Sequence, residues 1–423
     1  MEETIHSQPT LVGDEVESGQ EKRHDTSIED LEGDPLLNRT FSSTISYRLL
    51  EKIGEGGMGE VYKARVKSAI GTSEIVTIKK VKASAGLNLH KTSARQSLLA
   101  KLRREITILS ELNGHPNIVG FRGADLMEGN TPDQTELFLV MEFVDGLDLG
   151  ALMRMHSSGL KEIIRGDAYR ILDKNVGFIL FRVANALDYA HNFKFSDGKR
   201  GVIHLDLSPS NILIQDAIGL VKLSDFGVAQ SVDEFSLQEP GRMVGKPSYA
   251  SPEVVSNLPV DYTADFYSLG VIGYQMLTGL NPNRLPKLIP GTDLSQLRRS
   301  LIDLQKRPLT PPHKLVRGVD EELSEIVMQM MTEDKENRVI NARKLREMVG
   351  HAIYNRGYGP TDTSFANYLA SIQLFQFDFS RGNRLHDSKL QKLMEMFGAN
   401  LEPLRFYPDA RRRLVDGLNP CRL

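Results

Sequence analysis

The decapeptide His204-Leu205-Asp206-Leu207-Ser208-Pro209-Ser210-Asn211-Ile212-Leu213, with Asp225-Phe226-Gly227 beginning twelve residues after its end, constrains this chain more than any other stretch. It sets one carboxylate, Asp206, a few residues ahead of a carboxamide, Asn211, and places a second carboxylate, Asp225, beyond a short hairpin. Asp and Asn are also the commonest loop formers, so one short motif carries little weight alone. The weight comes from order. Ahead of the decapeptide stand a glycine-rich run at 54–59, a lysine in a strand pattern at 79 and a glutamate in a helical pattern at 105; behind it stands the pair Pro252-Glu253.

A carboxylate able to take a proton, next to two oxygen donors suited to a hard divalent cation, is the set that phosphoryl transfer from a nucleotide requires. That transition state needs positioning and charge neutralisation more than covalent help. The decapeptide and Asp225-Phe226-Gly227 resemble the catalytic loop and DFG segment of eukaryotic-type protein kinases. The wording GEGGMGEVYKA at 54–64 is most similar to the bacterial members of that family. The resemblance covers about 300 of the 423 residues. It implies an α+β, two-lobed protein kinase fold over 45–352, with a small β-rich lobe and one helix at 45–143 and a larger helical lobe at 144–352. A disordered acidic tail is expected at 1–44 and a helical C-terminal extension at 353–423.

The run Gly54-Glu55-Gly56-Gly57-Met58-Gly59, followed by Val61, reads as a hairpin whose missing Cβ atoms let backbone N–H groups approach phosphates. The spacing also occurs in dinucleotide folds, but there it opens a helix, whereas EVYKARV continues as a strand. In the next strand, Glu74 to Val81, period-two alternation puts Thr77, Lys79 and Val81 on one face and Val76, Ile78 and Lys80 on the other. The family pattern also selects Lys79 for the phosphates and puts Thr77 against the adenine. Glu105 lies on the inner edge of a helical stripe with Leu102, Ile106 and Leu109, and by resemblance it pairs with Lys79; its alternative is one more surface carboxylate. The resemblance further implies that Met141 lines the back of the nucleotide site, that the backbone of Glu142 and Val144 meets the adenine edge, that Asp148 lies near the ribose, and that Leu213 supports the base. ATP is the implied cosubstrate and Mg²⁺ the implied metal, held by Asn211 and Asp225 while Asp206 acts as base. His204 and Phe226 are expected to pack rather than react, and His191 to cap its helix or face solvent.

Two positions depart from the family. Leu205 replaces the arginine that usually precedes the aspartate, so no cation waits there for a phosphorylated loop, and Ser231 and Ser236 read as plain loop serines. Ser208 replaces a lysine that flanks the aspartate and contacts the γ-phosphate, while Lys246 stands in Gly245-Lys246-Pro247 where the family has a threonine bonded to that lysine. The two residue types have traded places. One reading has Lys246 supplying the ammonium beside Asp206, with Ser208 as its hydroxyl partner; the other has Lys246 in solvent and the site weakened. The first makes the chain an active Ser/Thr kinase, and the second a pseudokinase, a nucleotide-binding regulatory scaffold. A tyrosine kinase is disfavoured, since neither the tyrosine-type catalytic loop nor its tryptophan-containing segment is present, and the chain has no tryptophan.

Asp265 resembles the helix aspartate that anchors the catalytic-loop backbone, and Arg338 resembles the arginine that pairs with Glu253. Beyond residue 352, Phe365, Tyr368, Leu369 and Ile372 share one helical face, as do Leu390, Leu393, Met394 and Phe397. These faces either pack back on the kinase lobe or present a surface to a partner or a second copy, and the alternation Phe375, Phe377, Phe379 reads as a strand. The remaining partner is a protein substrate bearing a Ser or Thr hydroxyl. A net charge of −3 opposes nucleic-acid binding, which needs a cationic excess. A single cysteine fits a reducing compartment, and neither a long apolar run nor a basic-then-apolar leader is present, so a cytoplasmic protein without membrane contact is expected.

Overall fold

Alternation in SEIVTIKKV builds the strand around which the first part of the chain is arranged: Val76 and Ile78 are buried on one face, and Lys79 points to the other. The structure is a computed structural model that describes residues 40–42, 45–56, 59–68, 72–81, 106–127, 136–156, 171–195, 198, 200–226, 230–231, 245–285, 294–339, 341–355 and 359–380. These fall into two compact units, one drawn from Met1–Ser110 and Gly120–Phe143, the other from Glu111–Val119 and Val144–Leu423.

The first unit is a six-stranded antiparallel sheet made of β1 (Thr40–Ser42), β2 (Ile45–Gly56), β3 (Gly59–Ser68), β4 (Ser73–Val81), β5 (Phe121–Met127) and β6 (Glu136–Glu142), in the spatial order β1-β2-β3-β4-β6-β5. Its core lies on one face, where Tyr47, Leu49, Tyr62, Ala64, Val76, Ile78, Phe138 and Val140 pack together. Register explains the grouping. Tyr62 opposes Ile78, Ile78 opposes Val140, and Ala64 opposes both Leu49 and Val76, so each row keeps its side chains on the same side. Pairing begins earlier than expected, since Thr40–Ser42, inside the segment assigned to the tail, runs antiparallel to Ser46–Arg48. Residues 106–110 are helical, as the stripe at Ile106 and Leu109 requires.

The second unit is mostly helical. Small sheets join β7 (Leu147–Asp148), β9 (Ile212–Gln215) and β10 (Leu220–Leu223), and pair β8 (Val202–Ile203) with β11 (Gln230–Ser231). Ser231 therefore sits in a two-residue strand opposite Val202 rather than in a plain loop. Its helices are α1 (Leu149–Met155), α2 (Asp173–His191), α3 (Pro252–Ser256), α4 (Thr263–Thr278), α5 (Leu294–Gln305), α6 (Pro312–Leu315), α7 (Glu321–Met330), α8 (Ala342–Tyr354) and α9 (Asp362–Ser380). Helix α4 is buried almost all round and forms the centre of the unit; α2 buries Phe178, Leu180, Val183, Leu187 and Ala190.

The C-terminal extension corrects one expectation. Phe375, Phe377 and Phe379 lie within α9, so the aromatic alternation marks no strand. The stripe Phe365, Tyr368, Leu369 and Ile372 is buried on the second unit itself, with the Phe365 ring 5.2 Å from Phe178 and Arg182 paired to Asp362 at 2.7 Å. That face is covered by its own chain and is closed to a partner or second copy. The second expected helix, the basic run Arg411–Arg413, the tail before residue 40 and Cys421 lie outside the described residues. No described helix is long and apolar enough to cross a membrane.

Candidate functional site

In the first unit, register assembles the predicted residues along the sheet face opposite the core. Gly54 opposes Val61, Val61 opposes Lys79, and Lys79 opposes Leu139; in the next row Thr77 opposes Met141. Lys79 is 7% exposed, an unusual burial for a lysine and one that demands interaction with its ammonium. The hairpin closes with Gly56 opposite Gly59, and Glu55 pairs with Lys52 at 3.0 Å. Glu142 is held in place by its side chain, since its Oε2 accepts from Gly120 N at 2.9 Å. Gly57, Met58 and Glu105 lie outside the described residues, so the expected Lys79–Glu105 pair does too.

In the second unit, a buried carboxylate sets the decapeptide's backbone. Asp265 of α4 is fully buried, and its oxygens accept from His204 N and Leu205 N, each at 2.9 Å. His191 Nε2 lies 2.8 Å from the same carboxylate. His191 is thus a buried partner of Asp265, neither a cap nor a solvent-facing group, because the chain folds α4 over the end of α2. These bonds hold Leu205 at φ 65, a left-handed conformation that costs a branched side chain on the order of 1–3 kcal/mol. The Leu205 side chain is packed with Ile203, Ala250, Val254, Val255 and Leu301. An apolar contact occupies the place where the family carries a cation.

The next residue, Asp206, is buried and doubly held. Its Oδ1 accepts from the backbone N–H of Lys246 at 3.0 Å and its Oδ2 from Asn211 Nδ2 at 3.2 Å. His204 Nε2 lies 2.9 Å from the Ser224 carbonyl, to which it donates, leaving Nδ1 to accept from Asp206 N at 3.2 Å. Burial pushes the Asp206 carboxyl above the usual carboxylate range; nearby Lys246 opposes the rise and Asp225 adds to it. Gly245 permits this approach. It sits at φ 75, and a Cβ there would stand 2.5 Å from the Leu205 carbonyl oxygen and 3.2 Å from Asp206 Oδ1.

Lys246 reaches back over the loop with its side chain. Its Nζ donates to Ser208 Oγ at 2.9 Å and also to Ser210 Oγ. The structure therefore brings Asp206, Ser208 and Lys246 together. Ser210 is the partner that the sequence did not single out, although its place two residues after Ser208, across a proline, puts both hydroxyls within reach of one ammonium.

Asn211 donates through Nδ2 to the Asp206 carbonyl at 2.8 Å, which turns its Oδ1 away from that residue. Asp225 is half-buried at φ 64, and the chain just before it is tied to Asn211 by Ser224 N on the Asn211 carbonyl at 2.8 Å. The amide oxygen of Asn211, which accepts from Ser210 Oγ at 3.2 Å, and the Asp225 carboxylate stand at the two ends of the β9–β10 hairpin, and both are the hard oxygen donors that Mg²⁺ takes. Phe226 is buried with its ring 4.7 Å from that of His204, in the packing role expected of both. Leu213 and Asp148 face one another across β9 and β7, with Asp148 Oδ1 also capping α1 through Ala151 N at 2.8 Å; Val144 is half-buried just ahead of β7. Arg338 meets Glu253 in a buried two-pronged pair at 2.6 and 2.8 Å, as the resemblance implied.

Comparison with known proteins points to one family. The protein kinase domain family matches residues 47–351. A probable serine/threonine-protein kinase of Clostridium perfringens is 29% identical over 299 residues, covering 71% of this chain and 37% of the relative. The serine/threonine-protein kinase Pkn1 of Myxococcus xanthus is 31% identical over 350 residues, covering 82% of this chain and 43% of the relative. A probable serine/threonine-protein kinase PknB of Bifidobacterium longum is 28% identical over 324 residues, covering 75% of this chain and 41% of the relative. The chain thus spans less than half the length of each of these relatives.

Proposed function

The chain belongs to the protein kinase family, and from that premise we propose that it is an ATP- and Mg²⁺-dependent serine/threonine kinase whose kinase domain occupies 45–352. In this reading the acceptor hydroxyl oxygen bonds to the γ-phosphorus, the bond from that phosphorus to the bridging oxygen breaks, and ADP departs. Asp206 orients the hydroxyl and takes its proton, and burial, which raises its proton affinity, makes it the stronger base for that task. Lys246, steered by Ser208, brings a positive charge to the transferring phosphoryl group. The glycine hairpin, Gly54 to Gly59 with Val61, covers the phosphates. Lys79 binds them, with Glu105 assigned as its partner by the resemblance alone, and Thr77, Met141, Glu142, Val144, Asp148 and Leu213 take the nucleoside. Asn211 and Asp225 would hold Mg²⁺, which would neutralise phosphate charge.

The observation that carries the proposal is the bond from Lys246 Nζ to Ser208 Oγ beside Asp206. The departures at 208 and 246 supplied the case for a scaffold without activity, and that case weakens when the missing ammonium is replaced from the facing segment. Leu205, packed in an apolar cluster, fits a kinase that works without a phosphate on its activation segment. The reading takes the substrate to be a protein hydroxyl and the compartment to be the cytoplasm. Purified protein given labelled ATP and Mg²⁺, beside an Asp206→Asn control, is expected to label serine and threonine in a general acceptor protein. Label that is absent, or equal in the control, would overturn the proposal.

A further inference from the structure

A cavity of about 350 Å³ opens beside the Lys246 cluster, within the range that accepts a small ligand or one or two side chains of a peptide. Ser208, Ser210 and Lys246 line one side of it, and Gly150, Met153 and Arg154 of α1 line another. In the proposed reaction the chain that carries the acceptor hydroxyl lies here, because the cavity is lined by Ser208, Ser210 and Lys246, the residues that flank Asp206. The wall made by α1 is short, at seven residues, and a helix of two turns has too few internal hydrogen bonds to hold its own place.

What fixes its far end comes from outside the family-matched segment. His156, the residue closing α1, lines the same cavity and is 1% exposed. Tyr368 of α9 stacks on it with ring centroids 5.9 Å apart and brings its hydroxyl to 2.6 Å from His156 Nε2. Burial drives the His156 imidazole down to about 3 and the Tyr368 phenol upward, so the histidine is neutral and accepts while the tyrosine keeps its proton and donates. The same phenol oxygen is hydrogen-bonded by Asn175 and by the Leu172 backbone at the start of α2, so one hydroxyl joins the end of α1 to the start of α2. Helix α9 is itself pinned at its first turn by the Arg182–Asp362 pair and lies close against Gly219, where a Cβ would collide with the Asp362 carbonyl oxygen.

We propose that Tyr368 is a positioning residue for the acceptor substrate: through His156 it sets the α1 wall of the acceptor cavity, making the C-terminal helix part of the substrate site. This rests on the kinase reading for what fills the cavity, though not for the coupling of Tyr368 to α1. The test uses the full chain with Tyr368→Phe, which removes the hydroxyl and keeps the ring, and with Arg182→Gln, which loosens the first turn of α9 from its surface without emptying the core. Two measurements are made: amide exchange over residues 149–156, and steady-state KM for an acceptor peptide and for ATP. Faster exchange in that segment, with peptide KM raised about 5- to 10-fold and ATP KM within about 2-fold of wild type, supports the proposal. Unchanged exchange, an unchanged peptide KM, or both KM values rising together with a loss of thermal stability would overturn it. Wild-type protein that labels no acceptor would instead defeat the kinase reading, and the exchange measurement would still decide the coupling.

Discussion

Replacing Lys246 by methionine removes one charge and keeps nearly the same stem. The backbone N–H of residue 246 still reaches Asp206 Oδ1, and Gly245 still permits it, so the base keeps its orientation. What is lost is the ammonium. A unit-charge pair about 4 Å apart is worth roughly 4 kcal/mol at an effective dielectric of 20 and roughly 1 kcal/mol in bulk water. Lys246 is exposed, so the lower part of that range applies, and about 2 kcal/mol in the barrier is on the order of a 30-fold fall in rate. We expect kcat for peptide phosphorylation to fall 10- to 100-fold with the unfolding temperature within about 2 °C of wild type. The double variant Ser208→Lys with Lys246→Thr, which restores the arrangement of the wider family, should recover most of the loss, and the cycle of single and double variants should show strong coupling. A Lys246→Met protein that phosphorylates as fast as wild type would refute the assignment of this ammonium to the transferring phosphoryl group.

The pH profile gives a second check: because burial raises the Asp206 carboxyl, the acid limb of kcat/KM should lie above the usual aspartate value of about 4, and it should move higher still in Lys246→Met, where an opposing cation is gone. A downward move in that variant would contradict the electrostatics. Gly245→Ala must strain a left-handed backbone and push its methyl into the Leu205 carbonyl, so activity should drop at least 10-fold while far-ultraviolet circular dichroism stays near wild type. Arg338→Met leaves Glu253 buried without its partner, which should cost about 3–5 kcal/mol and show as a large fall in thermal unfolding temperature, partly recovered by adding Glu253→Gln. An unchanged unfolding temperature would mean that the pair is not buried in solution.

Much of this arrangement was legible because it depends on local period or on residue type at a fixed spacing. Alternation in β4 separates Val76 and Ile78 from Lys79, and the buried face of the sheet follows from it. The carboxylate at 265 and the Arg338–Glu253 pair were legible through the family resemblance, and the structure gives the physical reason for both: the loop that holds Asp206 has its own N–H groups bound, and a buried arginine has an acid. The failures share a different cause. His191 looked like a helix end facing water because what covers it, Asp265, lies 74 residues away in sequence. The alternation of Phe375, Phe377 and Phe379 suggested a strand, but α9 was already under way from Asp362, and extending a helix gains a hydrogen bond for each residue fixed without a new nucleus. The strand Thr40–Ser42 is too short to show a period of its own.

The exchange at 208 and 246 was visible for a further reason. Either departure alone reads as damage, a lysine lost from the loop or a threonine lost from the facing segment. Seen together they are complementary, since each position carries the functional group the other lacks. The fold supplies the condition for such a trade. Gly245 brings the facing segment to within contact of Asp206, so an ammonium on a four-carbon stem can start from either side and reach the hydroxyl on the other, beside the same carboxylate. The geometry also makes the trade directional. From 246 the ammonium is shared by two serines, Ser208 and Ser210, instead of being held by one threonine, and Ser210 also donates to Asn211 Oδ1, so a carboxylate at 210 would draw the ammonium away from the base, and Ser210→Glu should slow transfer more than Ser210→Ala, which loses only the shared hydroxyl.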